Sequence, residues 1–145
     1  MWNAVVASGI DAGSISSHFD SISVCFSKGL GAPVGTTLPG RRTLIDRARC
    51  FREVFGGAMC QAGIVAAGTL HALANHLDGL AEDHAKARLL ASNIVGMEGV
   101  RIDPDRVETN IVMVDLVDER AGEVAAGCRR DDLLLIAMGD TRYVW

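Results

Sequence analysis

Between Met59 and Leu77 the chain carries no aspartate, glutamate, lysine or arginine, and alanine, isoleucine, valine and leucine recur through the stretch. A helix that is apolar around most of its circumference has to be covered, so the fold must be built around it or bring another surface to it. The stretch therefore reads as a central or intersubunit helix. No unbroken apolar run of about 18 residues occurs, so no membrane partner is expected. A chain of 145 residues with 49% hydrophobic and 22% charged residues is that of a soluble globular protein, one domain or two small lobes. A net charge of -4 leaves no general basic field for nucleic acid.

The other elements follow from periodicity and punctuation. Residues 2–8 read as a helix stopped by Gly9, and residues 11–18 as a second short helix. Strands are expected over 21–27 and 34–38, the second ended by Pro39-Gly40. A helix over 43–55 has Leu44, Ile45, Ala48, Phe51 and Phe55 as its buried face and the pair Gly56-Gly57 at its end. After the apolar helix comes a long connector, 79–95, with Asp78 as its cap, Glu82 and Lys86 four apart, and Leu80, Ala87, Leu90 and Ile94 facing inward. Past Gly99 the texture changes to strands at 100–102 and 110–116, a helix at 120–128, and strands near 133–138 and 142–145. The class is α/β, divided at residues 1–78 and 79–145. Both ends lie inside apparent elements, so the sequence reads as a fragment of a longer protein.

Chemistry points first to Lys28. Only two of the fourteen basic residues are lysines, and Lys86 lies in an ordinary charged helix. Lys28 follows the apolar run Ser21-Ile22-Ser23-Val24-Cys25-Phe26-Ser27 and precedes Gly29-Leu30-Gly31-Ala32-Pro33-Val34-Gly35. A lysine at a strand end, beside small residues rather than carboxylates, is expected to be partly desolvated, which favours the neutral amine. A neutral amine can condense with an aldehyde, and the glycines leave room for a flat aromatic ligand, which suits imine formation with pyridoxal phosphate. The same pattern also fits a solvated turn lysine. Nucleotide binding is not expected, because the third glycine comes at 35 rather than 34 and no Gly-Lys-Ser/Thr ending follows. Arg41, Arg42, Arg47, Arg49 and Arg52 crowd one segment, which reads as a solvated or interfacial helix. Cys25, Cys50, Cys60 and Cys128 form no C-x-x-C pair, so no metal is expected; they read as small buried hydrophobes in a reducing cytoplasm. His18, His71, His76 and His84 have no ligand or catalytic spacing and read as helix-surface or capping residues.

With Lys28 placed in this order of elements, the chain resembles the threonine aldolase and aromatic amino acid β-eliminating lyase family of pyridoxal-phosphate enzymes. Residues 20–35 are similar to that family's lysine segment, Gly56-Gly57-Ala58-Met59-Cys60-Gln61-Ala62-Gly63-Ile64 to its glycine-rich turn, and Leu80-Ala81-Glu82-Asp83-His84-Ala85-Lys86-Ala87-Arg88 to its connector. The resemblance implies the C-terminal part of an aspartate aminotransferase type fold, with a remnant of the cofactor-binding large domain and a small α+β C-terminal domain. It further implies Lys28 as the catalytic residue and covalent anchor of pyridoxal 5'-phosphate, with Ser27 beside it as a cofactor contact. Arg142 lies where the family places the arginine that grips the substrate carboxylate. The implied activity is cleavage of β-hydroxy-α-amino acids such as threonine to glycine and acetaldehyde, a route of glycine biosynthesis, by a cytoplasmic homodimer or homotetramer.

Departures from the family shape the expectation for this chain. Family members carry an aspartate beneath the pyridine nitrogen, with an arginine three residues on, immediately before the segment that starts here at Trp2; neither is in this chain. Glu53 and Cys60 stand where basic residues are common, which weakens the expected hold on the cofactor phosphate. Little or no activity is therefore expected of the isolated chain. The alternative is a non-catalytic truncated paralogue that pairs with a full-length subunit.

Overall fold

The computed structural model describes residues 1–118 and 120–144, so Trp145, at the end of the last expected strand, lies outside the described residues. The chain divides into two compact units, Met1–Leu80 and Ala81–Trp145. In the first, α1 (Trp2–Ser8) and α2 (Ala12–Ser16) precede a short antiparallel pair, β1 (Val24–Cys25) and β2 (Thr36–Thr37). Asp11 opens α2 by accepting the Ser14 amide at 2.8 Å, which satisfies one of the donors that a helix start leaves bare. Val24 faces Thr37 and Cys25 faces Thr36. Both strands are shorter than expected. The segments around them still pair, however, through Ile22 N–H to the Pro39 carbonyl at 3.2 Å and Phe26 N–H to the Gly35 carbonyl at 3.0 Å.

Every second residue of the first run turns inward. Val24, Phe26, Leu30 and Ala32 are buried with Ala72 and Leu80, and Trp2, Val6, Ile22, Leu73 and Leu77 pack around them. The Trp2 and Phe26 rings lie 6.0 Å apart. Two helices complete the unit, α3 (Arg42–Val54) and α4 (Ala62–Asn75).

Both helices correct the sequence reading. No residue of α3 is buried: Leu44, Ile45 and Ala48 are half-buried, while Phe51 and Phe55 stack on each other at 6.2 Å in the open. Three of its arginines are tied to its own surface, Arg42 and Arg49 reaching Asp46 and Arg52 lying beside Glu53. In α4 only Ala72 is buried, and Ile64 and Leu70 are exposed at 78% and 66%. Periodicity identifies which faces avoid water, but the described residues of this chain do not cover them. The cysteines are corrected too: Cys50 and Cys60 are exposed and Cys25 and Cys128 half-buried, so none is a buried hydrophobe. Among the described residues no helix is long and apolar enough to cross a membrane.

The second unit continues α5 (Leu80–Ile94) into β3 (Val100–Arg101), β4 (Met113–Leu116), α6 (Ala121–Arg130), β5 (Ile136–Ala137) and β6 (Arg142–Val144). The strands form one antiparallel sheet in the order β3-β4-β6-β5. Alternation along β4 sorts its side chains: Val112 and Val114 enter a core with Ala87, Ala91, Val107 and Tyr143, joined by Leu90 and Ile94 of α5 and Val124 of α6. The inward positions expected for α5 are thus found, and Glu82 and Lys86 pair at 2.9 Å. Arg88 fastens the loop before β4, donating from Nε to the Val107 carbonyl at 3.0 Å.

Leu30 is 1% exposed at the centre of the first core. Leu30→Ala is expected to cost about 2–5 kcal/mol of unfolding free energy in a urea titration, whereas Ile64→Ala, on the open face of α4, is expected to stay within about 0.5 kcal/mol.

Candidate active site

Lys28 occupies the tip of a turn whose two sides are buried. Phe26 and Leu30 are 5% and 1% exposed, while Lys28 between them faces solvent. The turn is closed by Gly31 N–H to the Lys28 carbonyl at 2.8 Å and by Ala32 N–H to the Phe26 carbonyl at 3.0 Å. Gly31 sits at φ 65°, a left-handed conformation that side chains other than glycine adopt at a cost. From 46 residues away, His76 Nδ1 lies 2.7 Å from the Leu30 carbonyl; since a carbonyl only accepts, Nδ1 carries the proton and donates. On the other side, a Cβ at Gly29 would lie 3.1 Å from the Asn3 amide nitrogen and 3.2 Å from a Leu80 methyl. The turn under Lys28 is thus pinned by His76, and Asn3 and Leu80 leave no room for a side chain at Gly29.

The partial desolvation expected of Lys28 is not supplied by the described residues. A turn tip projects its side chain away from the core that anchors its flanks. Among the described residues Lys28 forms no ion pair, so its amine has no competing carboxylate. Ser27, beside it, turns its hydroxyl to Cys25, with Oγ 3.6 Å from Sγ, and the Thr36 hydroxyl lies 3.8 Å from the same sulfur. Those hydrogen bonds, Ser27 first, and the nearby Lys28 ammonium hold the Cys25 thiol below its ordinary value. The cysteine beside Lys28 is Cys25.

Arg142 belongs to the other unit. It lines an open cavity of about 680 Å³ on the face of the sheet opposite the core, together with Arg101, Asp103, Arg106, Met113 and Asp115. Its guanidinium meets Asp115 in a two-point pair, Nε on Oδ1 and Nη2 on Oδ2 at 2.9 Å. Each partner shifts the other. The Arg142 hydrogen bonds hold the Asp115 carboxyl below the usual carboxylate range, with Arg101 adding to the effect, and Asp115 raises Arg142. Glu53 is exposed and lies 3.8 Å from Arg52, so it is engaged with its own helix. His84 is 3% exposed, a buried histidine rather than the surface residue expected.

Residues 1–119 match the family model for beta-eliminating lyases. The chain belongs to the beta-eliminating lyase family. It is 41% identical over 118 residues to low-specificity L-threonine aldolase 1 of Arabidopsis thaliana, covering 81% of this chain and 33% of that one. It is 37% identical over 144 residues to the low specificity L-threonine aldolase of Escherichia coli K12, covering 99% and 42%. A solved structure from Exiguobacterium sp. 255-15, described as an aromatic amino acid beta-eliminating lyase/threonine aldolase, matches 99% of this chain and 42% of its own at TM-score 0.77 and 21% identity, which shows the fold. An L-allo-threonine aldolase structure from Listeria monocytogenes EGD-E matches with the same TM-score and coverage. The beta-eliminating lyase family and its α/β fold are thus those expected from the residues around Lys28, and this member spans less than half the length of these relatives.

The depressed carboxyl of Asp115 fixes a pH dependence. Its pair with Arg142 contributes stability that is fully present above the ordinary aspartate value of 3.8 and is lost as pH falls through the lower folded value. In an NMR titration, Arg142→Gln is expected to raise the Asp115 midpoint toward 3.8. An unmoved midpoint would contradict the assignment of Arg142 as its principal partner.

Proposed function

We propose that this chain is the lysine-bearing part of a pyridoxal-phosphate lyase that cleaves β-hydroxy-α-amino acids such as threonine to glycine and an aldehyde. The observation that carries the reading is an exposed lysine amine, without an ion pair among the described residues, at the tip of a turn pinned by His76, in a member of the beta-eliminating lyase family. Those features fit the cofactor's aldehyde, because the side chain is accessible to it and no carboxylate competes for the nitrogen. Lys28 would hold the cofactor, with Ser27 at its side. When bound, the cofactor supplies an electron sink for the pair released as the substrate's Cα–Cβ bond breaks.

The chain's own residues do the rest of what this unit can do. Arg142 offers two parallel N–H donors to a substrate carboxylate, a geometry that fixes orientation as well as charge. Residues 1–78 correspond in this reading to the end of the cofactor-binding large domain, and 79–145 to the connector and the small C-terminal domain. The full enzyme acts as a homo-oligomer in the cytoplasm. The chain alone, which spans 33–42% of the relatives above, has little or no activity.

Mixing the chain with pyridoxal phosphate and reducing with borohydride is expected to add the cofactor mass to Lys28 and not to Lys86, which is paired with Glu82. Lys28→Arg is expected to remove the label. Absence of mass on Lys28 would end the reading. Acetaldehyde released from L-threonine by the chain alone at about 1 s⁻¹ or faster would overturn its low activity.

A second reading, a non-catalytic paralogue acting as oligomerisation partner of a full-length subunit, is favoured by the open faces of α3 and α4, where Val54, Phe55 and Ile64 are each more than three-quarters exposed. Exposed large apolar side chains of this kind favour association when they share a patch. Sedimentation is expected to show concentration-dependent assembly, and a monodisperse monomer that melts cooperatively would count against this reading.

A further inference from the structure

The sheet face that carries Arg142 holds a charge pattern that no single strand reveals. Arg101 on β3 is the register partner of Asp115 on β4, and Asp115 is in turn the register partner of Arg142 on β6. Directly opposed residues in neighbouring strands share a face, so the three side chains form one row across the sheet, positive, negative, positive. All three line the same cavity. Asp115 is committed to Arg142 through both oxygens, whereas Arg101 makes no ion pair among the described residues. Neighbouring strands lie about 4.8 Å apart, so a carboxylate on the middle strand can reach a guanidinium on either side. The cavity as a whole has three arginines, at 101, 106 and 142, against two aspartates, at 103 and 115. That leaves one positive charge, the complement of one further carboxylate.

We infer that Asp115 is an internal stand-in for a ligand carboxylate: it fills the Nε–Nη2 edge of Arg142 until the carboxylate of an amino acid displaces it there, and it then passes to Arg101. The inference rests on the reading of Arg142 given above and adds to it a residue that decides which ligands are admitted. The exchange is nearly balanced, because a two-point pair is replaced by an equivalent one and the displaced carboxylate finds a second guanidinium. Without Arg101 the displaced Asp115 would stay beside the incoming carboxylate, and two like charges at that distance repel. A ligand lacking the carboxylate cannot displace Asp115, so the pair screens out neutral analogues. Asp115 and Arg101 are positioning residues on this account.

Binding of L-threonine and of L-threoninamide to the whole chain, followed by NMR of the arginine side chains, tests it. Asp115→Asn is expected to tighten L-threonine binding about five-fold, the scale of an exposed ion pair, and to narrow its preference over the amide. Arg101→Gln is expected to weaken L-threonine binding about three-fold on its own and to have no effect in the presence of Asp115→Asn, since there is then no carboxylate to receive. Asp115→Ser repeats the first arm should the asparagine variant not fold. Unchanged or weaker binding by the Asp115 variants, or an Arg101→Gln effect of equal size in both backgrounds, overturns the exchange. Arg142→Gln separates the two levels. If it removes L-threonine binding while the Asp115 variants bind no tighter, the exchange alone falls; if it leaves L-threonine binding intact, the role of Arg142 falls with it.

Discussion

The first unit depends on a contradiction built into one short segment: Phe26 and Leu30 are drawn into the same core, and the residues between them must leave it and return. Only a tight turn does this. Its closing hydrogen bonds, from Gly31 to Lys28 and from Ala32 to Phe26, are therefore consequences of burial on both sides rather than of turn propensity alone. The lysine stands in the middle of the three exposed residues, 27–29, that leave the core. His76 then fixes the turn from the end of α4 by occupying the Leu30 carbonyl, which would otherwise be an unpaired acceptor near the core. Lys28 is exposed, while the turn that carries it is pinned through the Leu30 carbonyl.

In the second unit the corresponding constraint is the alternation of β4. Val112 and Val114 can enter the core only if the residues between and beside them face the other way. Asp115 is thereby forced onto the open face, and the register of both neighbours brings an arginine to each side of it. The apolar core thus dictates a polar row. Asp115 holds charge on that face because Arg142 binds it at two points, and its lowered carboxyl is the titration signature of that arrangement.

What was legible in the sequence was local. The order of elements, the inward residues of α5, the Glu82–Lys86 pair and the turn around Lys28 all follow from spacings of a few residues. What was not legible joins distant positions. His76 reaches a carbonyl 46 residues earlier, and Asp115 meets Arg142 across 27 residues; neither spacing marks a motif in one sequence. Nor does a spacing rule distinguish a histidine that clamps a turn from one that caps a helix. The burial of α3 and α4 failed for another reason. An apolar pattern states that a face avoids water, and is silent on what would cover it.

Lys28 and the apolar residues of α4 are both exposed among the described residues of the first unit. Both were expected to be shielded, one because a neutral amine needs desolvation and the other because Ile64 and Leu70 stabilise a fold only once covered. In this chain neither is shielded, although the two surfaces belong to one unit and α4 itself supplies the histidine that holds the Lys28 turn. A surface laid over α4 would remove apolar area from water at about 25 cal/mol per Å², and any part of it that reached the Lys28 turn would lower the dielectric around the amine. Arg142 differs, since its partner Asp115 comes from the neighbouring strand, and its charge is organised without help from any other surface.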